Sequence, residues 1–145
     1  MFSIQEIIDV IIMTLALGFI FKDVFVKPSG PYNPLTYYKK KINLDNFKFA
    51  IMVTAPAIIL HELAHKFVAI SYGLKATFHA HYLFLGIGLL MKVLNFGFIF
   101  FIPGYVTHSG LATPFQTASI AVAGPMINLI LWLGSAFILK QNNVK

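Results

Sequence analysis

The sequence has no cysteine, so disulfides and thiolate metal sites are excluded. It has no arginine either: all eleven basic residues are lysine. Charged residues of any kind make up only 11% of the 145, against roughly 25% in a soluble domain. A nucleic-acid-binding surface would need clustered basic residues with arginine prominent. About half of the lysines instead fall between Lys22 and Lys48. That pattern fits a polybasic loop beside anionic head groups, and no nucleic-acid partner is expected. Acidic residues are scarcer still, and none follows Glu62.

What is present is oil. Hydrophobic residues reach 58% and are gathered in long runs. A spanning helix needs about 20 mostly apolar residues. Segments 4–21, 47–72 and 117–139 qualify. The first opens with Glu6 and Asp9 rather than with positive charge, so it reads as a retained anchor and not a cleavable signal peptide. Segment 82–102 is long enough to span but is broken by Gly86, Gly88, Lys92, Asn95 and Gly97. It is either a fourth span or a re-entrant hairpin packed on protein, where non-helical backbone is tolerated at membrane depth. The expected fold is therefore an all-α membrane protein in one domain over residues 1–145. It has three to four transmembrane helices and room for a short re-entrant β-hairpin. Lys27 to Lys41 and Ile102 to Pro114 carry turn residues and read as loops. Tyr32, Tyr37 and Tyr38 suit a membrane interface. Asp23 and Asp45 stand at boundaries and are expected to cap helices or face water.

The exception to the oil is "IILHELAHKFVAI", residues 58–70. On a helix, His61 and His65 project from one face, one turn apart. Two neutral imidazoles at that spacing can bind Zn²⁺, the expected cofactor. Glu62, rotated by one position, can take a proton from a water held by the ion without being a ligand. This is the zinc-hydrolase signature H-E-x-x-H. Histidine pairs also stack in cores without metal. However, a carboxylate in a spanning helix costs a few kcal/mol unless it serves something. Lys66 is expected to snorkel or to face a water-filled cavity and is given no catalytic role. Pro56 removes the helical donor for the Met52 carbonyl, and a kink there would open the helix toward a cavity.

A zinc signature inside a membrane helix resembles the site-2 protease family of intramembrane metalloproteases. "AVAGPMINL" (residues 121–129) resembles that family's Gly-Pro-x-x-Asn segment on a later helix, and "FIPGYV" (101–106) resembles a segment between the two in some members. The resemblance implies that His61 and His65 bind zinc and that Glu62 is the base. It implies that Asn128 helps to hold the substrate backbone or the developing oxyanion. The residues alone also allow Asn128 to be a packing notch beside Gly124 and Pro125. The implied substrate is a membrane-spanning protein, cut within the bilayer of a multi-pass protein of the cell membrane. An unwound substrate strand could pair with an exposed edge, for which Ala76–Phe84 and Phe96–Phe101 are the candidates. The lysine-rich first loop argues for a cytoplasmic position. The resemblance implies the opposite orientation, and the reading follows the resemblance.

A catalytic zinc usually has three protein ligands. In the family the third is an aspartate in a Leu-Asp-Gly-like motif on a later helix, and no such motif occurs here. The chain is therefore expected to be the N-terminal part of a longer metalloprotease core. Other accounts are a ligand from another chain, a histidine among His79, His81 and His108, or an inactive relative. The alternative function is a catalytically incomplete fragment or pseudoprotease that binds clients or metal. A small metal-handling membrane protein is a third class. It would line a path with ionisable residues on several helices, and these are scarce outside the second segment.

Overall fold

Ser3 starts the first helix. Its Oγ accepts from the Glu6 amide at 3.2 Å, and the Glu6 carboxylate accepts from the Ser3 amide at 2.7 Å. This reciprocal capping box satisfies two donors that a helix start leaves open. A computed structural model describes residues 2–25, 44–100 and 102–142. Its elements are α1 (Ile4–Phe21), α2 (Leu44–Ser71), β1 (Lys75–Ala80), α3 (Tyr82–Val93), β2 (Gly104–Ser109) and α4 (Pro114–Asn142). The expected loop from Lys27 to Lys41, with its three tyrosines, lies outside the described residues.

The fold is mostly helical, as expected. Among the described residues α1, α2 and α4 are long and apolar enough to cross a membrane. The 28 residues of α2 span about 42 Å at 1.5 Å per residue, more than the roughly 30 Å of hydrocarbon. α2 packs against both α1 and α4. The α1 contact is close at Gly18, where a Cβ would lie 2.5 Å from Ile51. Such small residues let helix backbones approach without a hydrophobic driving force. Gly73, at φ +77°, ends α2, and the Leu74 amide donates to the Ala69 carbonyl at 3.1 Å. This left-handed glycine cap turns the chain into β1.

Segment 82–102 is neither a fourth span nor a hairpin. It holds the 12-residue helix α3, too short to cross. The chain then runs irregularly from Leu94 through a left-handed Asn95. The strands flank this segment. β1 and β2 pair antiparallel, with Ala76 opposite His108, Phe78 opposite Val106 and Ala80 opposite Gly104. Of the expected edge segments, Ala76–Ala80 is extended as part of β1, and the rest is corrected. Tyr82–Phe84 is helical and Phe96–Phe100 is not a strand. The second strand lies inside what reads as the loop from Ile102 to Pro114. Gly104 suits a strand here because the Phe78 ring rests on it, at 2.6 Å from where a Cβ would sit.

Two carboxylates of α1 fix this sheet. The Phe78 amide donates to Glu6 Oε1 at 2.8 Å, and the Ala80 amide donates to Asp9 Oδ2 at 3.1 Å. Both donors lie on the edge of β1 that faces away from β2. Asp9 also accepts from the Tyr82 hydroxyl and from Gln5 Nε2. The bond to Asp9 pushes the Tyr82 phenol above its ordinary value, so it keeps its proton. The buried cluster of Met13, Ala16, Leu17, Phe78, Ala80 and Leu85 sits where α1, the sheet and α3 meet. Lys66 neither snorkels nor faces water. It is 1% exposed, pairs with Glu6 and lies 4.1 Å over the Phe2 ring. Asp23 behaves as a boundary residue, exposed and paired with Lys92 at 2.9 Å.

Candidate metal centre

His61 and His65 stand one turn apart on α2, with ring centroids 4.8 Å apart and planes at 79°. Their Nε2 atoms converge. The point where a Cβ on Gly124 would sit is closer than 3.0 Å to both of them. Gly124, on α4, is buried and leaves the gap between the rings open. Any other residue would fill it.

The other ring nitrogens are held by α4. His65 Nδ1 lies 2.6 Å from the Ile120 carbonyl oxygen. A carbonyl can only accept, so Nδ1 carries the proton and Nε2 keeps its lone pair. Ile120 lies in the turn just before Pro125, which cannot donate to the Ala121 carbonyl. His61 Nδ1 lies 3.0 Å from Asn128 Nδ2, an amide donor, so as placed Nδ1 accepts and the proton of the neutral ring is on Nε2. Turning the amide over puts its oxygen against Nδ1–H, and that is the arrangement in which His61 Nε2 could bind a metal. One helix thus supplies two imidazoles, and a second helix orients both. Metal-binding histidines are commonly held as His65 is, with an acceptor on the second ring nitrogen.

Glu62 is 8% exposed and lines the same cavity as the two histidines. The cavity measures about 590 Å³ and is bounded by α2, by Thr117, Ile120, Ala121 and Asn128 of α4, and by Ile102–Val106 and His108. The structure therefore brings together all four sequence-derived site residues: His61, Glu62, His65 and Asn128. The donor set suits a zinc ion in part. Two imidazole Nε2 atoms face one gap, that of His65 with its lone pair free. Among the described residues, however, no group of three histidine or acidic side chains is arranged to hold an ion.

The three hairpin histidines separate by the strand period of two. His79 and His81 both lie against Tyr105, with ring centroids at 5.5 Å, and neither lines the cavity. His108 lies on the opposite, inward face with Val106 and Gly104, and it lines the cavity. Sequence reasoning missed this separation because Pro103 and Gly110 made the segment look like a loop. It also missed Glu6 and Asp9 as anchors of the sheet. The available signal was two acids three residues apart inside an apolar helix.

This geometry agrees with what comparison with known proteins finds. The chain is 34% identical over 131 residues to a Methanocaldococcus jannaschii protein named "Putative zinc metalloprotease MJ0611", covering 90% of this chain and 60% of that protein. It is 29% identical over 85 residues to a Synechocystis protein named "Putative zinc metalloprotease sll0528", covering 59% of this chain and 18% of that protein. The chain thus spans about three-fifths of the length of the first relative and under a fifth of the second. No family model and no solved structure matches. The similarities support a relationship to zinc metalloproteases, and both names agree with the metal that H-E-x-x-H suggests.

Proposed function

We propose that the chain carries the core of an intramembrane zinc metalloprotease of the site-2 protease type, which hydrolyses peptide bonds in membrane-spanning substrates. One observation carries the reading: two Nε2 atoms in a long apolar helix converge on a gap kept open by Gly124, beside a buried carboxylate. His61 and His65 would hold the ion, with the third ligand supplied from outside the described residues. Zinc bound there would lower the pKa of a water toward neutrality and polarise a peptide carbonyl.

The chain's own residues do the rest. Glu62 takes a proton from the attacking water as the carbon–oxygen bond forms, and gives it to the leaving amine as the carbon–nitrogen bond breaks. The Ile120 carbonyl keeps His65 in the tautomer that leaves Nε2 free. Asn128 orients His61 and adds an amide to the cavity wall. A substrate helix hides its carbonyls in hydrogen bonds and must unwind. The outer edge of β1 is occupied by Glu6 and Asp9, whereas β2 borders the cavity, so an extended substrate would pair there.

Zinc per chain and cleavage of a membrane-helix substrate, compared with Glu62→Gln, test the proposal. Zinc bound by both proteins, with cleavage lost only in the variant, supports it. Zinc bound with no cleavage by either supports a second reading, a pseudoprotease or incomplete module that binds clients or metal. That reading is favoured by the absence of a three-ligand set among the described residues.

A further inference from the structure

We propose that α3 is a half-helix sunk in the bilayer, with its outer face against lipid acyl chains. The inference goes beyond the proteolytic reading and rests on α1 crossing the membrane.

Two polar ties set the depth of α3. At its start the Tyr82 hydroxyl donates to Asp9, near the start of α1. At its end Lys92 pairs with Asp23 at 2.9 Å, just past the end of α1. Between the ties, Leu85 joins Met13, Ala16 and Leu17 of α1 in the buried cluster. The contacts come in the same order along both helices, so α3 runs beside α1 in the same direction. From Asp9 to Phe21, α1 covers about 18 Å, and the 12 residues of α3 cover about the same at 1.5 Å per residue. A helix lying flat on the membrane surface would meet α1 at one level only.

The sides of α3 sort as this depth requires. Leu85 and Gly88 are buried on the face toward α1. Leu83, Leu90 and Val93 are each more than half exposed on the other face. Over the same stretch α1 exposes Ile11, Ile12 and Leu15. An exposed apolar surface of this kind marks something that covers it, and beside a spanning helix the cover is hydrocarbon. A helix satisfies its own backbone groups, so lipid tolerates it. The chain enters and leaves at one level: the His81 amide donates to the Pro103 carbonyl at 3.1 Å, and Ala80 stands opposite Gly104. The stretch from Leu94 to Phe100 returns with irregular backbone, which hydrocarbon does not tolerate uncovered. Only the helical face of α3 is therefore assigned to lipid.

The chain has no cysteine, so single cysteines can be labelled without background. Leu83→Cys and Leu90→Cys on α3, Ile11→Cys on α1 and Leu111→Cys after β2 each replace an exposed side chain. Each variant is coupled to a fluorophore and reconstituted in phosphatidylcholine vesicles. Thermal melts matching the parent show that the label leaves the fold intact. The quenchers are iodide in the water and lipids bearing a nitroxide either near the head group or near the end of the acyl chain. The expected result is that the deep nitroxide quenches the labels at Leu83, Leu90 and Ile11 most strongly and iodide spares them, while iodide quenches the label at Leu111. Stronger quenching at Leu90 by iodide or by the head-group nitroxide would put α3 on the surface and overturn the proposal. No quenching at Leu83 and Leu90 by any of the three would mean that protein, such as a second copy of this chain, covers the face, and would overturn it too. If the deep nitroxide fails to reach Ile11, α1 does not cross the membrane, and the depth of α3 fails with it.

Discussion

Gly124 approaches His61 so closely that a methyl group in place of its hydrogen would lie 2.5 Å from Nε2. The same methyl would strike His65 Nε2. The opening between the rings therefore depends on a glycine of another helix.

Gly124→Ala should lower zinc content. The Cβ has no flexible chain end to displace, so one ring must turn or α4 must move away from α2. The expected outcome is a folded protein with at least about tenfold weaker zinc binding, the range that disturbed support of a ligand usually costs. Competition with a chromogenic chelator measures it.

Glu62→Gln keeps the side chain's shape and removes its base. Zinc content should be unchanged and cleavage should fall by about 10²–10⁴-fold. A fall in both together would mean that Glu62 helps to hold the ion.

Removing the imidazoles should act on zinc directly. His61→Ala and His65→Ala should each abolish stoichiometric zinc. Asn128→Ala, which takes away the support of His61 and an amide of the cavity wall, should weaken zinc or activity by about 10–100-fold. Metal analysis of the purified variants, before and after chelation, ranks the three.

The buried pair of Lys66 and Glu6 gives a stability prediction. Lys66→Met leaves Glu6 buried without its cation and should cost about 3–5 kcal/mol. Adding Glu6→Gln removes the stranded charge while keeping an acceptor for the Phe78 amide. The double variant should recover most of the loss. Reversible unfolding in mixed detergent measures both.

Tyr82 gives a pH dependence. Its phenol ionises above the ordinary value of 10.0 because the protonated form donates to Asp9. The folded protein holds this proton more tightly than the unfolded chain does. Its contribution is complete below the unfolded pKa and is lost as pH rises through the folded one. Above pH 10 the wild type should lose stability faster than Tyr82→Phe, which has no such proton. Thermal melts of the two proteins from pH 8 upward check the difference.

The helices and the metal motif were legible in the sequence because they rest on local signals. Apolar length marks a span, and a spacing of four places His61 and His65 on one face. Asn128 was legible through its motif, though its partner was not: only tertiary packing brings it to His61. The sheet was misread for a physical reason. β2 is six residues bounded by Pro103 and Gly110, and its strand character comes from pairing with β1 across α3. Lys66 was misread because its partner is 60 positions away. Long-range polar pairing leaves no periodicity for a sequence to display.

The carboxylates of Glu6 and Asp9 make the first helix more than a tether. Replacing it with an unrelated anchor of equal length would strip two backbone amides of their acceptors and leave Lys66 stranded. A chimera between relatives should therefore keep its function only when the first helix and the sheet come from the same parent, so the two should be inherited as one unit.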